Sequence, residues 1–462
     1  MPGQRPNIVF ILADDLGYGD FSAFNGGLSE TPVLDGFLQE SVCFTQHYAA
    51  SCVCNPSRAA LLTGRYPHRT GSIDTLEWRG LERLALRETT LADLLQRAGY
   101  ATGLVGKWHL GAFDPRYHPM ARGFDEAVCF RGGMHDYYQW RLEFGYQVVR
   151  ADGRYLTDVW TDEAIRFIER HRREPFFLHL TYNAPHTPLQ APEEEVKPFS
   201  EKGQFNRGVS TLYGMIRRMD RGVGRVLETL RRLGLEENTL VLFTSDNGPQ
   251  FGGQGEEKLD RFNCQFRGAK GSVYEGGIRV PMLLRWPAGA QGGREVHEMV
   301  HMCDWFPTLL AAVGLEPPKE LKLDGVNVLP LLQGEPCRVE TRRFWQWNRY
   351  TPLVTCNAAI RDGDWKLVRP AIREAMEVPD IHWLRVSMYE PEYFIQHSIL
   401  RGEPERQVPP PPPPELFNLR EDPLEQHNLA DKYPERVRSL LCALETWFAE
   451  VEAERATIQD MP

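Results

Sequence analysis

Short apolar runs recur along the first two-thirds of the chain, and longer stretches separate them. The apolar runs predict buried strands at residues 8–13, 100–105, 176–182 and 239–244. The intervening stretches predict helices at residues 89–98, 161–171 and 212–233. Repeated alternation of helix and strand indicates an α/β fold, with a large, mixed, mostly parallel sheet flanked by helices.

Polar side chains follow each of the predicted strands. Asp14 and Asp15 follow the first strand, and the residues after the other three are Lys107 and His109, Asn183 and His186, and Asp246 and Asn247. In open α/β sheets, ligands bind outside the carboxyl ends of the strands. The sequence therefore predicts that these side chains, from four distant parts of the chain, meet at one rim of the sheet.

The pattern changes beyond residue 340. Residues 358–368 predict two short strands around an Asp-Gly turn, and residues 434–452 predict an amphipathic terminal helix. Consecutive prolines at residues 409–414 predict a stiff connector on the surface. We therefore divide the chain into an N-terminal domain, residues 1–340, and a smaller C-terminal α+β domain, residues 341–462.

The composition excludes several classes of protein. The chain has 462 residues, 42% of them hydrophobic and 11% aromatic, which is enough for a large buried core and argues against disorder. Its formal net charge of −10 argues against nucleic acid as a partner. If the substrate is anionic, a local basic cluster has to attract it.

The first apolar run, residues 8–13, is too short for a signal peptide or a membrane span. We therefore expect no membrane partner and a cytoplasmic protein, or a periplasmic or secreted one if a leader has been removed. The chain's 9 cysteines have no metal-ligand spacing, and their odd number favours reduced thiols.

The most specific segment is CNPSRAALLTG, residues 54–64. Asn55 fits a helix N-cap, Pro56 fits the first helical position and Gly64 fits the end of a short helix. Cys54 then lies at a helix N-terminus, where free N–H groups favour an anion. Arg58, about one turn later, can lean back toward the same point. Because a lone cysteine is more often an inert buried residue, the surrounding segment carries the argument.

This segment resembles the signature of the type I, formylglycine-dependent sulfatases of the alkaline-phosphatase-like superfamily. Other segments resemble blocks of that family, in the family's order: PNIVFILADDLGYGD, GKWHLG, APHTP, SDNG, GAKGSVYEGGIRVP and, near the C-terminus, ELFNLREDPLEQHNLA. The resemblance implies an alkaline-phosphatase-like catalytic domain over residues 1–340 that releases sulfate from esters. It also implies that a separate maturation enzyme converts Cys54 into formylglycine (3-oxoalanine).

Four residues at the predicted rim suit a metal ion. Adjacent carboxylates such as Asp14 and Asp15 repel each other unless a cation or a donor lies between them. Asp246 and the amide oxygen of Asn247 add ligands of the kind that hard cations prefer. Alone, each pair is also typical of a solvated turn. Together with the resemblance they are predicted metal ligands, to which converted residue 54 adds an oxygen. Calcium is favoured, and magnesium and manganese stay open.

Three cationic residues are predicted to bind the sulfate group. Lys107 and His109 lie two apart after a strand, which places both on one face if the segment is extended. Lys270 lies in a glycine-rich loop whose backbone can approach a ligand closely. The resemblance implies that Lys107 and Lys270 bind sulfate oxygens, and Arg58 joins them.

The resemblance also implies the reaction. The aldehyde at residue 54 hydrates to a gem-diol, and one hydroxyl, assisted by the metal and Asp246, attacks sulfur. His186, with Lys270, protonates the leaving oxygen. His109 then takes the proton of the second hydroxyl, the aldehyde re-forms and sulfate leaves. The predicted catalytic residues are Cys54, Arg58, Lys107, His109, His186, Asp246 and Lys270.

The predicted substrate is a sulfated carbohydrate or a small aryl or alkyl sulfate ester. One alternative is a formylglycine-dependent phosphonate monoester hydrolase or phosphodiesterase. Another is a non-catalytic, metal-stabilised binding protein in which Cys54 stays unmodified. The segment RGGMHDYY, residues 131–138, either lines the substrate pocket or forms a surface loop.

Overall fold

The computed structural model describes residues 5–460 and contains a large central sheet and a smaller second sheet. The strands of this region are β1 (Asn7–Ala13), β2 (Val42–Phe44), β3 (His47–Tyr48), β4 (Ala101–Lys107), β5 (Glu126–Phe130), β6 (Arg141–Phe144), β7 (Gln147–Arg150), β8 (Phe176–Thr181), β9 (Thr239–Ser245), β10 (Met282–Arg285), β11 (Arg294–Val296), β12 (Val300–His301), β13 (Arg342–Gln346), β14 (Ala358–Asp362), β15 (Trp365–Arg369) and β16 (Glu415–Asn418).

The α-helices surround these sheets. They are α1 (Ser22–Asn25), α2 (Pro32–Glu40), α3 (Cys54–Thr63), α4 (Pro67–Thr70), α5 (Leu91–Arg97), α6 (Leu156–His171), α7 (Glu193–Ser200), α8 (Arg207–Arg232), α9 (Glu275–Ile278), α10 (Trp305–Ala312), α11 (Leu329–Leu332), α12 (Trp383–Tyr389), α13 (Glu392–His397) and α14 (Pro434–Arg455). Within residues 5–460, no helix combines the length and the hydrophobicity that a membrane span requires.

The central sheet is mixed and mostly parallel. Its strand order is β11-β2-β10-β9-β1-β8-β4-β5-β6-β7. The neighbouring strands β9, β1, β8, β4 and β5 pair in parallel, and antiparallel pairs lie toward the two edges. The four predicted strands are β9, β1, β8 and β4, which occupy adjacent central positions. This arrangement confirms the predicted fold class.

Helices cover both faces of the central sheet, and this explains why its central strands are continuous apolar runs. Every residue of β1 is buried. Phe10 packs with side chains of α3, α5 and α10 on one face, whereas Ile11 packs with side chains of α6 and α8 on the other. Helix α8 has 26 residues and begins after Asn206, whose side chain accepts a hydrogen bond from the N–H of Val209 at 2.9 Å.

The second sheet is antiparallel, in the order β13-β14-β15-β16. Strands β14 and β15 form the hairpin predicted at residues 358–368. One face of the sheet packs against α14, where Ile360 and Leu367 meet Leu444 and Trp447. The other face packs against the segment before α3 and the loop before α9. The division of the chain at residue 340 stays a prediction.

Candidate active site

The carboxyl ends of the central strands lie level with one another at one edge of the sheet. Ala13, the last residue of β1, is opposite Ser245, the last residue of β9. Thr181 at the end of β8 is opposite Leu12 of β1 and Gly106 of β4. The polar residues that follow these four strands therefore emerge side by side, as the alternation of helix and strand predicted.

Cys54 begins helix α3 at this edge and is 2% exposed. The expected capping pattern is wrong, because the helix starts at Cys54 and its N-cap position is held by Val53. Asn55 points elsewhere: its side-chain nitrogen donates to the backbone oxygens of Glu82 at 2.7 Å and His109 at 2.5 Å. Within the described residues no side chain caps α3, so its first N–H groups, beside Cys54, have no side-chain acceptor.

Two basic side chains neutralise the carboxylates on one side of Cys54. Arg58 donates from Nε and Nη2 to Oδ2 of Asp246, at 2.9 and 2.7 Å. Its Nη2 is also 3.7 Å from Oδ1 of Asp14. Lys107, fully buried, donates to Oδ2 of Asp14 at 2.7 Å. Buried charges need partners of this kind, because desolvation of an unpaired ion is costly.

Asp15 is the centre of the second half of the cluster. Its Oδ2 accepts from Nζ of Lys270 at 2.8 Å, and its Oδ1 accepts from the side-chain nitrogen of Asn247 at 2.8 Å. Nε2 of His186 lies 3.7 Å from the same Oδ2. Burial alone would raise the pKa of Asp15, but Lys270 and His186 hold it well below its usual range. Asp15 is therefore an anion in the folded protein.

The acidic cluster can bind a divalent metal ion. One ligand atom from each of Asp14, Cys54 and Asp246 lies within 4.8 Å of the other two. Oδ1 of Asp14 and Oδ1 of Asn247 are buried and have no hydrogen-bond partner among residues 5–460. Burial and the nearby Asp14 raise the pKa of Asp246 to about 6. Unused oxygen lone pairs and mutually repelling carboxylates are the features that a bound hard cation relieves.

Two histidines complete the set of predicted catalytic residues. Nδ1 of His186 is 2.7 Å from the backbone oxygen of Thr187, and burial together with Lys270 lowers its pKa to about 3. His109 is buried, and neither ring nitrogen has a hydrogen-bond partner in the described part of the chain. Its backbone has φ 57°, so the expectation of an extended segment from Lys107 to His109 is wrong. The chain turns sharply at this residue and still delivers both side chains to the site.

A cleft of about 460 Å³ opens onto this cluster. Cys54, His109, His186 and Lys270 all line it. These four residues form the floor of the cleft. The other predicted site residues are buried around them: Asp14, Asp15, Arg58, Lys107, Asp246 and Asn247. The structure therefore brings together every residue in the predicted catalytic and metal sets. A volume of this size accommodates more than the sulfate group of an ester.

The walls of the cleft come from the segment RGGMHDYY, for which the sequence left a pocket lining and a surface loop open, and from residues that the sequence did not indicate. Gly133 and Met134 line it, so the segment RGGMHDYY contributes to the pocket. An ideal Cβ on Gly133 would lie 2.6 Å from atoms of the His109 ring, which explains glycine at this position. The outer wall comes from beyond residue 340, and its members are Trp347, Arg349, Met376, Ile381 and Leu384. No motif marks these residues, since they reach the cleft only through packing of the second sheet.

Comparison with known proteins gives two family matches and several similar proteins. Residues 6–315 match the model of the sulfatase family, and residues 268–382 match the model of the N-sulphoglucosamine sulphohydrolase C-terminal region. Human N-acetylgalactosamine-6-sulfatase is 37% identical over 366 residues, which cover 72% of this chain and 66% of the human protein. The chain thus spans about two-thirds of that relative's length. Mouse steryl-sulfatase is 32% identical and matches 100% of this chain and 84% of its own.

Solved structures share the fold of this chain. The crystal structure of Ps i-CgsB in complex with k-i-k-neocarrahexaose has a TM-score of 0.78 and 32% identity, and covers 96% of this chain and 93% of its own. The phosphonate monoester hydrolase of Agrobacterium radiobacter has a TM-score of 0.64 and 21% identity, and covers 97% of this chain and 96% of its own. The second likeness concerns the fold alone.

Proposed function

The chain belongs to the type I sulfatase family of the alkaline-phosphatase-like fold, a family of sulfuric ester hydrolases, and we propose that it releases sulfate from a sulfated sugar. The main support for this proposal is that Asp14, Cys54 and Asp246 converge on one point beside Arg58 and two lysines. A relative named for N-acetylgalactosamine 6-sulfate and a structure with a bound oligosaccharide support a sugar as the substrate.

We further propose that calcium is held by the carboxylates of Asp14, Asp15 and Asp246, the amide oxygen of Asn247 and an oxygen on converted residue 54. All of these donors are hard oxygen atoms, which calcium prefers over the nitrogen and sulfur ligands typical of zinc. When bound, the ion makes a coordinated hydroxyl more acidic and offsets negative charge on sulfate. Arg58, Lys107 and Lys270 balance the three carboxylates, so a bound cation leaves the site positive and attractive to an anion.

We propose that a formylglycine-generating maturation enzyme converts Cys54, and that the hydrated aldehyde supplies the oxygen nucleophile. The unmodified thiol suits this task poorly, because burial raises its pKa even though Lys107 and Lys270 lower it in part. The position at the start of α3 favours the negative charge that develops on an attacking oxygen.

The remaining side chains have three roles around residue 54: they bind sulfate, donate a proton to the leaving oxygen or accept a proton from residue 54. Arg58, Lys107 and Lys270 provide N–H donors for sulfate oxygens. Lys270 and His186 approach the same oxygen of Asp15, at 2.8 and 3.7 Å, so they lie together. Because the pKa of His186 is lowered to about 3, cationic Lys270 donates the proton to the leaving oxygen, and His186 becomes the acid when the charge of bound sulfate raises its pKa. Asp246 assists deprotonation of the attacking hydroxyl. His109, which lines the cleft with two unpartnered ring nitrogens, accepts the proton from residue 54 when sulfate is released.

Sulfate release from a defined panel tests this function. Protein whose residue 54 has been verified as the aldehyde by mass spectrometry should hydrolyse 4-nitrophenyl sulfate and at least one 6-sulfated N-acetylhexosamine. A phenyl phosphonate monoester, assayed beside them, should have a much lower kcat/KM. Faster turnover of the phosphonate would establish the phosphonate hydrolase alternative, and no turnover of any compound would favour a binding protein.

A further inference from the structure

Arg349 carries unused hydrogen-bond donors in the outer wall of the cleft. Its Nη1 donates to Oδ1 of Asp74 and Oγ1 of Thr75, both at 2.8 Å. Its Nε is buried without a partner, and Nη2 makes no hydrogen bond within residues 5–460. The side chain is 22% exposed and lines the cleft, and because Nε is buried and Nη1 is engaged, Nη2 is the donor left for a ligand in the cleft.

The guanidinium is held in place from several directions. Its central carbon lies 4.8 Å from the centre of the Trp347 ring. The backbone N–H of Arg349 donates to the oxygen of Ala375 at 3.2 Å. Asp74 also accepts hydrogen bonds from the N–H groups of Thr75 and Tyr350, at 2.7 and 2.9 Å. With these two partners, the Asp74 carboxylate needs only Nη1 of Arg349, and the other guanidinium nitrogens stay free of it. A guanidinium fixed before a ligand arrives loses little conformational entropy on binding.

The free donors have a chemical preference. The N–H groups of Nη2, on a permanently charged guanidinium, form charge-assisted hydrogen bonds with the oxygens of a carboxylate or of a sulfate. The ester sulfate that reacts is served by Lys107, Lys270 and Arg58 at the floor of the cleft. Arg349 makes none of the contacts that join those residues, and it belongs to the wall built by the region beyond residue 340. It therefore suits a different part of the substrate.

We propose that Arg349 binds a second anionic group of the substrate in a subsite of the outer cleft. The preferred substrates are then sulfated saccharides that also carry a carboxylate or another sulfate. This inference rests on the proposed function, because it concerns the same cleft. Arg349 is a specificity-determining residue and touches no reacting atom.

Competition against 4-nitrophenyl sulfate tests the subsite with aldehyde-verified protein. The competitors are N-acetylgalactosamine 6-sulfate, N-acetylgalactosamine 4,6-disulfate and a disaccharide of glucuronate with N-acetylgalactosamine 6-sulfate. At least one of the doubly charged sugars should have an inhibition constant roughly 10- to 100-fold lower than the singly charged sugar, the range for charge-assisted hydrogen bonds. Preference for the disulfate identifies a second sulfate as the ligand, and preference for the disaccharide identifies a carboxylate.

Arg349→Gln should remove that preference. It should leave kcat/KM for 4-nitrophenyl sulfate within about threefold of wild type, because this substrate has no second anionic group and Arg349 touches no reacting atom. Arg401→Gln is the matched control, because Arg401 lines a separate surface cavity, and it should change neither quantity. Equal inhibition of wild type by all three sugars overturns the proposal without any variant. So does a preference that persists in Arg349→Gln. If neither 4-nitrophenyl sulfate nor any of the sulfated sugars is hydrolysed, the proposed function fails, and calorimetric binding of the same sugars still decides the subsite.

Discussion

Asn357 joins the second sheet to the loop that carries Lys270, and its replacement should loosen the active site. Its side-chain nitrogen donates to the backbone oxygens of Gly271 at 3.0 Å and Trp347 at 2.8 Å. Its Oδ1 accepts from the N–H of Val273 at 3.2 Å. Asn357 is 1% exposed, so water cannot replace these bonds in the folded protein. A single side chain thus connects the cleft wall to the residue next to Lys270.

The cost of Asn357→Ala follows from this geometry. Two backbone carbonyls and one N–H lose their partner, and each net hydrogen bond contributes about 1 kcal/mol, with up to roughly 3 kcal/mol when the remaining group is buried and unpaired. We expect a loss of about 3–5 kcal/mol, against a typical total stability of about 5–15 kcal/mol. Asn357 also has φ 47°, where alanine adds roughly 1 kcal/mol of strain and glycine adds none.

Denaturant unfolding measures the free energy, and 4-nitrophenyl sulfate kinetics measure the consequence for Lys270. Asn357→Gly should lose about 1 kcal/mol less than Asn357→Ala, because it removes the same bonds without the strain. Asn428→Ala is the control, since exposed Asn428 also accepts two backbone hydrogen bonds. Both Asn357 variants should have a lower kcat than wild type at denaturant concentrations where they are still folded, because Lys270 is held less firmly. A loss under 1 kcal/mol in Asn357→Ala, equal to the control, would refute the reasoning.

Three further predictions concern the metal, the position of His109 and the pH dependence of stability. Chelation should abolish turnover and calcium should restore it, with the unfolding free energy rising by about 2.7 kcal/mol at a hundredfold excess over the dissociation constant; a midpoint that ignores calcium would contradict this. Gly133→Ala should lower kcat at least roughly tenfold by displacing the His109 ring, whereas Gly36→Ala, which meets open space, should keep wild-type kinetics. Burial and nearby Glu275 raise the pKa of Glu425 to about 7, so the folded protein keeps a proton that the unfolded chain has lost. The contribution of Glu425 to stability should therefore fall as the pH rises from about 5 to about 8, so the difference in unfolding free energy between wild type and Glu425→Gln should change over that interval.

The central strands were predictable because burial on both faces leaves a local pattern, a continuous apolar run, in the sequence. A strand covered by helices on both faces has to be apolar throughout, as NIVFILA in β1 is. Helix ends were less well predicted. Helix α6 begins at Leu156, although the predicted helix began at residue 161, because its first turn is also buried against the sheet core. Packing across the fold, which the local pattern does not contain, extends such helices.

The floor of the site was predictable for a related reason. Asp14 and Asp246 directly follow central strands, so the topology alone places them together. The comparisons confirm the predicted family. The wall was not predictable, because Arg349 reaches the cleft through contacts between the second sheet and distant loops. The sharp turn at His109 and the hydrogen bond from the Asn55 side chain to Glu82 also depend on neighbours that are remote in sequence.

The most direct test relates sulfate release to the chemical state of residue 54. Protein made with and without a formylglycine-generating enzyme gives preparations whose aldehyde fraction can be measured by mass spectrometry of the tryptic peptide. Turnover of 4-nitrophenyl sulfate should rise in proportion to that fraction and be absent in Cys54→Ser, while circular dichroism of the variant stays native. Multiple turnover by protein that retains the thiol, or no sulfate release by fully converted protein, would contradict the account.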